Sequence, residues 1–280
     1  MKDFKGRVAA ITGAASGIGR GLALNLAKAG CELSLSDVDA QGLSQTAEQA
    51  RALGVKVSET TLDVADRAAV FAWADATVAE HGKVNMIFNN AGVALGGTVE
   101  GTSLDEYEWI VNINFWGVVY GTKAFLPHLV AAGEGHVINV SSIFGLFSQP
   151  TQSGYNATKF AVRGFTESLR QELDLAANGV SATCVHPGGI KTNIAANART
   201  NASVQKMTGK TAEESQKEFE RLFRTTADQA ARIILDAVRK DRRRVLVGPD
   251  AKAIDVMQRA LPTAYQRILT GLLKRQNKAA

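Results

Sequence analysis

At 280 residues, with 45% hydrophobic and 21% charged residues, the chain suits one large α/β domain or at most two small ones, and its composition is ordinary for a globular protein. The net charge of +5 is unevenly placed: residues 239–280 hold 11 Lys/Arg and 3 Asp/Glu, net +8, which leaves the first 238 residues at −3. A basic tail of this kind argues against a DNA-binding domain, whose basic face would spread across a recognition fold. Cys31 and Cys184 stand far apart, the four histidines fall in unrelated segments, and no run reaches the ~18 apolar residues of a membrane helix. These features exclude a disulfide framework, a metal cluster and a spanning segment. The N-terminus enters the first strand without a signal-type apolar run, so a cytoplasmic location is expected.

In chain order, the buried run Val8-Ala-Ala-Ile11 predicts a strand over 7–12. Thr12-Gly13-Ala-Ala-Ser16-Gly17-Ile18-Gly19 follows, and then apolar residues at helical spacing over 18–29, ended by Gly30. Strand, glycine turn and helix together suit a phosphate. Missing side chains admit the cofactor backbone, and the helix start offers free N–H groups. A second strand over 32–37 ends at Asp37, about 20 residues past the loop, where a carboxylate can accept from adenosine ribose hydroxyls. Asp37 would repel a 2′-phosphate, and the neighbouring Ser16 and Val38 carry no charge to hold one. NAD is therefore expected over NADP. The bland alternatives are a tight turn without ligand and a turn-capping aspartate.

Further strands are predicted near 56–62, 84–89, 135–141, 180–186 and 243–248, alternating with helices near 40–53, 66–81, 104–131, 153–177 and 226–240. This alternation implies an α/β fold: a doubly wound, Rossmann-type parallel sheet of about seven strands with helices on both faces. Its ligand is expected at the carboxyl ends of the strands. Residues 1–249 form the expected catalytic domain. Residues 190–224 form a long insertion, polar at first and then helical, and a loop this long is usually functional or mobile.

Tyr155 and Lys159 lie four residues apart on the helix 153–177, hence on one face, thirteen residues beyond the pair Ser141-Ser142. An ammonium one turn from a phenol is expected to lower the phenol's pKa from about 10 toward a useful acid/base range. In the stretch after Ser142, Phe144 and Phe147 are candidates to line a pocket for an apolar, fairly bulky alcohol or ketone. Filling core space or a subunit contact is the alternative.

With these residues in this order, the chain resembles the short-chain dehydrogenase/reductase family over about residues 4 to 250. The resemblance makes Thr12 to Gly19 the cofactor loop and Asp63-Val64 an adenine contact. Asn89-Asn90-Ala91-Gly92 becomes the segment that closes the fourth strand. Pro187-Gly188-Gly189-Ile190-Lys-Thr192 becomes the loop that holds the nicotinamide carboxamide. Asn114, Ser142, Tyr155 and Lys159 match the catalytic set, in which Tyr155 exchanges a proton with the substrate oxygen. Lys159 also holds the nicotinamide ribose, Ser142 offers its hydroxyl to the substrate oxygen, and Asn114 holds a water linking Lys159 to solvent. The 190–224 insertion would cover the substrate. The implied activity is hydride transfer between NAD and a secondary alcohol or ketone, with no metal. An NADPH-dependent carbonyl or 3-oxoacyl reductase and a non-catalytic dinucleotide-sensing scaffold are the rivals.

The expected partners are a small-molecule substrate and further copies of the chain, as a homodimer or homotetramer, with no nucleic acid. Pairing is expected through the helices near 104–131 and 153–177, whose faces carry Phe115, Trp116, Val119, Phe165 and Leu169. In the extension 250–280, Tyr265, Ile268, Leu269, Leu272 and Leu273 form an amphipathic stripe, which Pro262 is placed to start and Lys274-Arg275 to end. Packing on the domain or a partner subunit is the default reading. Weak association with a membrane surface and a flap over the substrate are the alternatives.

Overall fold

The computed structural model describes residues 1–211, 213–214 and 223–279. Its first part runs β1 (Val8–Thr12), α1 (Gly17–Lys28), β2 (Glu32–Asp37), α2 (Ala40–Arg51), β3 (Val57–Thr61), α3 (Arg67–His81) and β4 (Met86–Asn89). There follow β5 (Leu95–Gly96), α4 (Leu104–Val111), α5 (Gly117–Ala131), β6 (Gly135–Val140), α6 (Ser153–Ala176) and β7 (Val180–Pro187). The last part comprises β8 (Ile190–Lys191), β9 (Arg199–Thr200), α7 (Ser203–Thr208), β10 (Thr225–Thr226), α8 (Ala227–Arg239), β11 (Arg244–Val247), α9 (Pro249–Ala260) and α10 (Ala264–Ala279).

The seven expected strands form one parallel sheet in the order β3-β2-β1-β4-β6-β7-β11. From β1 the chain steps outward through β2 and β3, then returns to β4 on the other side of β1. The crevice between β1 and β4 is therefore the topological switch point, where ligands of open α/β sheets sit. Side-chain alternation along the strands feeds two cores. Ala9 and Ile11, with Met86, Phe88 and Ile138, face a layer built from α1, α2 and α8. Ala10, Ile87 and Val137 face the opposite layer, with Trp73 of α3, Phe125 and Leu129 of α5 and Leu169 of α6. Because both faces are covered, the central strands read as apolar runs and not as alternating ones.

Four expectations need correction. The helix predicted over 104–131 is broken by a π-helical turn, Asn112–Trp116, between α4 and α5. Such a turn adds a residue to the helical circuit, and apolar periodicity does not reveal it. Two short pairs, β5 with β9 and β8 with β10, were missed, since two-residue strands carry no period. They fasten parts of the 190–224 insertion, of which residues 212 and 215–222 lie outside the described residues. Val119 and Leu169 are buried in their own domain, at 9% and 7% exposure, and so do not contribute to an outer face, whereas Trp116 is exposed. Finally, the tail forms two helices: Pro249 opens α9, and Pro262 sits in the turn before α10.

Tyr265 of α10 is buried, while Ile268 and Leu272 of the same stripe stay about half exposed. Asp255 of α9 holds Arg244 of β11 through two bonds of 3.1 and 2.9 Å. The tail is thus seated on the sheet edge. No helix among the described residues is long and apolar enough to cross a membrane.

Candidate active site

At the switch point the ends of β1 and β4 are laced together. Thr12 Oγ1 accepts the N–H groups of Asn90 and Ala91, each at 3.0 Å, and Asn90 Nδ2 donates to the carbonyls of Thr12 and Gly13 at 2.9 and 3.2 Å. Gly13 turns the chain at φ +67°, and a Cβ on Gly19 would lie 2.0 Å from the Gly13 carbonyl oxygen. The loop is therefore a cradle with no room for side chains on its inner wall. Ser16, the residue before α1, makes no side-chain cap bond, so the first-turn N–H groups remain for an anion. This arrangement fits a dinucleotide pyrophosphate.

Asp37, at the end of β2, accepts the Ala15 N–H at 2.9 Å on one oxygen and the Asp39 N–H at 3.0 Å on the other. Each carboxylate oxygen keeps a second lone pair for a ribose hydroxyl. Arg20, which the sequence reading missed, donates to Thr46 Oγ1 at 2.9 Å and to the carbonyls of Ala15 and Gly42. It pins the loop against α2. Ile18 is half-buried at the start of α1. Asp63 is exposed and caps the Ala65 N–H at 2.9 Å, while Val64 is buried beside Gly117.

The proposed catalytic residues converge beside the carboxyl end of β6. Lys159 is buried, donates to the Val140 carbonyl at 3.1 Å, and stands 5.6 Å from the centre of the Tyr155 ring. Ser142, just past β6, accepts the Phe144 N–H at 3.2 Å, and its hydroxyl pulls the Tyr155 phenol's pKa downward. A Cβ on Gly92 would lie 3.1 Å from Asn114 Oδ1 and 3.4 Å from Lys159 Nζ, so the segment after β4 meets the same cluster. Asn114 sits in the π-helical turn with no exposure. Its amide donates to the Val93 carbonyl at 2.9 Å and to Thr158 Oγ1 at 3.3 Å, and accepts the Val93 N–H at 2.8 Å. It braces Gly92 and its neighbours against α6.

The electrostatics differ from the sequence expectation. Burial pushes the Tyr155 phenol up to about 12, against a smaller downward pull from Ser142. The same burial lowers the Lys159 ammonium to about 8. Desolvation therefore outweighs the lowering expected from Lys159, although Tyr155 keeps partial exposure. Two supports went unseen in the sequence: Ser141 Oγ donates to the Lys159 carbonyl at 2.7 Å, and His186 Nδ1 bonds the Ser142 carbonyl at 2.9 Å. Burial lowers His186 to about 4, so at neutral pH the uncharged ring donates through Nδ1.

Phe144 and Phe147 lie between the Tyr155 segment and the tail. Both are buried and stacked on each other at 5.2 Å; Phe144 packs edge-on to Tyr155 at 5.9 Å and Phe147 to Tyr265 at 6.0 Å. Tyr265 also accepts the Ser148 N–H at 3.1 Å. The two phenylalanines form a wedge between Tyr155 and the tail. Past β7, Gly188 donates to the Val247 carbonyl at 2.9 Å, Gly189 donates to Asp250 at 2.6 Å, and Ile190 is buried in the β8–β10 pair. A Cβ on Gly17 would come within 3.0 Å of the Thr192 methyl, which brings the loop from Pro187 to Thr192 against the glycine cradle.

Known proteins show the same architecture. A Mycobacterium tuberculosis protein named as an oxidoreductase, SadH, is 51% identical over 271 residues, covering 96% of each chain. The crystal structure of a short chain dehydrogenase/reductase from Burkholderia phymatum, in complex with NAD, superposes with a TM-score of 0.87 at 32% identity, covering 95% of this chain and 97% of that one. Levodione reductase superposes at 0.78 with 29% identity, covering 90% and 98%. The profile of the short chain dehydrogenase family matches residues 7–203. The glycine cradle, the Ser142–Tyr155–Lys159 cluster and these likenesses agree, and the chain belongs to the short chain dehydrogenase family of oxidoreductases.

Proposed function

We propose that this oxidoreductase is NAD-dependent and acts on the CH–OH group of a secondary alcohol, or on the ketone in reverse. The observation that carries the reading is the meeting of Ser142, Tyr155 and Lys159 beside Gly92, at the strand ends that also hold the cradle. NAD is favoured because Asp37 stands at the ribose position and neither Ser16 nor Val38 offers a cation to a 2′-phosphate. The Burkholderia relative, solved with NAD, supports the same choice. The cradle from Thr12 to Gly19 holds the pyrophosphate, Asp37 the adenosine ribose, Asp63 and Val64 the adenine, Asn90 to Gly92 the middle of the cofactor, and the loop from Pro187 to Thr192 the carboxamide. When bound, the nicotinamide supplies the hydride donor or acceptor.

Ser142 holds the substrate oxygen through its hydroxyl. Tyr155 donates its phenolic proton to the carbonyl oxygen in the reducing direction; in the oxidising direction the phenol first releases that proton to solvent and the phenolate then takes the proton of the alcohol. Lys159, anchored on Val140, places positive charge beside the phenol as negative charge develops there. Phe144 and Phe147, the residues that pointed to an apolar substrate, are buried, with Phe144 packed against Tyr155. Residues 1–249 form the catalytic unit, and the tail from 250 onward completes it. Phe115 and Trp116 of the π-helical turn, clustered with Phe165 of α6, form the face for a second copy.

Tyr155→Phe is expected to lower kcat by roughly 10²- to 10⁴-fold on secondary alcohols while cofactor affinity stays unchanged. Near-normal turnover would remove Tyr155 from the mechanism. Asp37→Ala is expected to erase or reverse the preference for NAD in kcat/KM, and better wild-type use of NADPH would sink the assignment.

A further inference from the structure

Asp250, at the start of α9, lies 61 residues from Gly189, yet its Oδ2 accepts the Gly189 N–H at 2.6 Å. The carboxylate fills a notch between two glycines. A Cβ on Gly188 would fall 2.2 Å from Asp250 Oδ2, and one on Gly248, at φ +106°, would fall 2.5 Å from Oδ1. Neither position can carry a side chain while the carboxylate is there. Gly188 is held separately by the Val247 carbonyl at 2.9 Å. The next residue, Ala251, has no exposure and packs in one cluster with Ile143 and Phe144, which fixes the start of α9 against the catalytic segment. The loop that Asp250 grips runs on to Thr192, whose methyl packs on Gly17 of the cradle.

We propose that Asp250 is a positioning residue for the nicotinamide end of the cofactor. It fixes the Gly188–Gly189 peptide and so sets the depth of the loop against which the carboxamide docks. This inference rests on the cofactor reading above. The same carboxylate faces the positive end of α9 and contributes to that helix. A loss of stability alone therefore does not establish the role, and the test must separate the two halves of the cofactor.

The full chain is titrated with NAD and with ADP-ribose, which lacks the nicotinamide. The wild type is expected to bind both. Asp250→Ala is expected to bind NAD roughly tenfold more weakly, the scale of one charged hydrogen bond, with ADP-ribose affinity unchanged. Asp250→Asn, whose amide oxygen still accepts from Gly189, is expected to restore NAD affinity. ADP-ribose binding also reports that a variant is folded. Should Asp250→Ala not fold, Asp250→Ser, too short to reach Gly189, carries the same expectation. Equal weakening of both ligands, or no weakening of either, would overturn the role of Asp250 and leave the cofactor reading standing. A wild type that binds neither ligand would overturn the cofactor reading and this inference with it.

Discussion

Around β1 and β4 the cleft is made largely of main chain. Glycines at 13, 17 and 19 shape the cradle, and Thr12 and Asn90 stitch the two strand ends through backbone groups. Around β7 and β11 the cleft is held by side chains borrowed from the tail: Asp250 on the Gly189 N–H, Tyr265 on the Ser148 N–H and on Phe147, and Asp255 on Arg244. The difference teaches where variation can enter. A main-chain cradle recognises a fixed chemical group and tolerates almost no added atoms. A wall held by side chains can be reset by changing the segment that supports it, without touching the cradle.

The comparison can be broken at several points. The largest effect is expected from acid. His136 on β6 and His186 on β7 are both buried in the second half of the sheet, and burial lowers each from 6.5 to about 4. The unfolded chain gains these protons near pH 6.5, whereas the folded chain gains them only near 4. Their contribution to stability is thus complete above pH 6.5 and is lost as pH falls toward 4, by about 3 kcal/mol for each histidine. Denaturant titrations at pH 7 and pH 4.5 should show the loss, and His136→Gln should remove about half of it. A flat profile would show that the second half is no more acid-sensitive than the first.

Gly19→Ala comes next. Its Cβ would meet the Gly13 carbonyl at 2.0 Å, which forces the loop open. NAD binding should weaken roughly 100-fold, equivalent to about 3 kcal/mol of strain, by calorimetric titration. An unchanged affinity would mean that the cradle is softer than its main-chain construction implies. The smallest effect is expected from Tyr265→Phe, which removes the acceptor for the Ser148 N–H and keeps the ring against Phe147. Thermal unfolding should report a loss of about 1 kcal/mol, with NAD affinity unaltered. A fall in NAD affinity would join the two ends of the cleft into one unit and blur the contrast between them.

The same contrast explains what was legible in the sequence. The strands, the glycine loop, Asp37 and the Tyr155–Lys159 pair are signalled by neighbours within a few positions, and the structure brings Tyr155 and Lys159 together with Ser142 and Asn114. The grip of Asp250 on Gly189 and that of Tyr265 on Ser148 span 61 and 117 residues and leave no local trace. Phe144 and Phe147 read as pocket residues because they follow Ser142; nothing in the order of residues shows that a tail tyrosine covers them. Tyr155 failed in sign, because helical spacing places the ammonium near the phenol but says nothing of how much water both lose. The π-helical turn at Asn114 escaped because one extra residue in a helical circuit barely alters an apolar pattern.

The tail's grip also sets an order of assembly during synthesis. The cradle uses residues 12 to 92, and the sheet that supports it can begin to form once β6 has emerged. The wall behind Tyr155 waits for Asp250 and Tyr265, which leave the ribosome after every strand of the sheet. The glycine cradle can thus form before the wall behind Tyr155 is finished. Until then Phe144 and Phe147 lack their cover, and a sticky apolar surface is displayed beside Tyr155. Nucleotide captured at that stage would stabilise the half-built domain by mass action while its last helices dock.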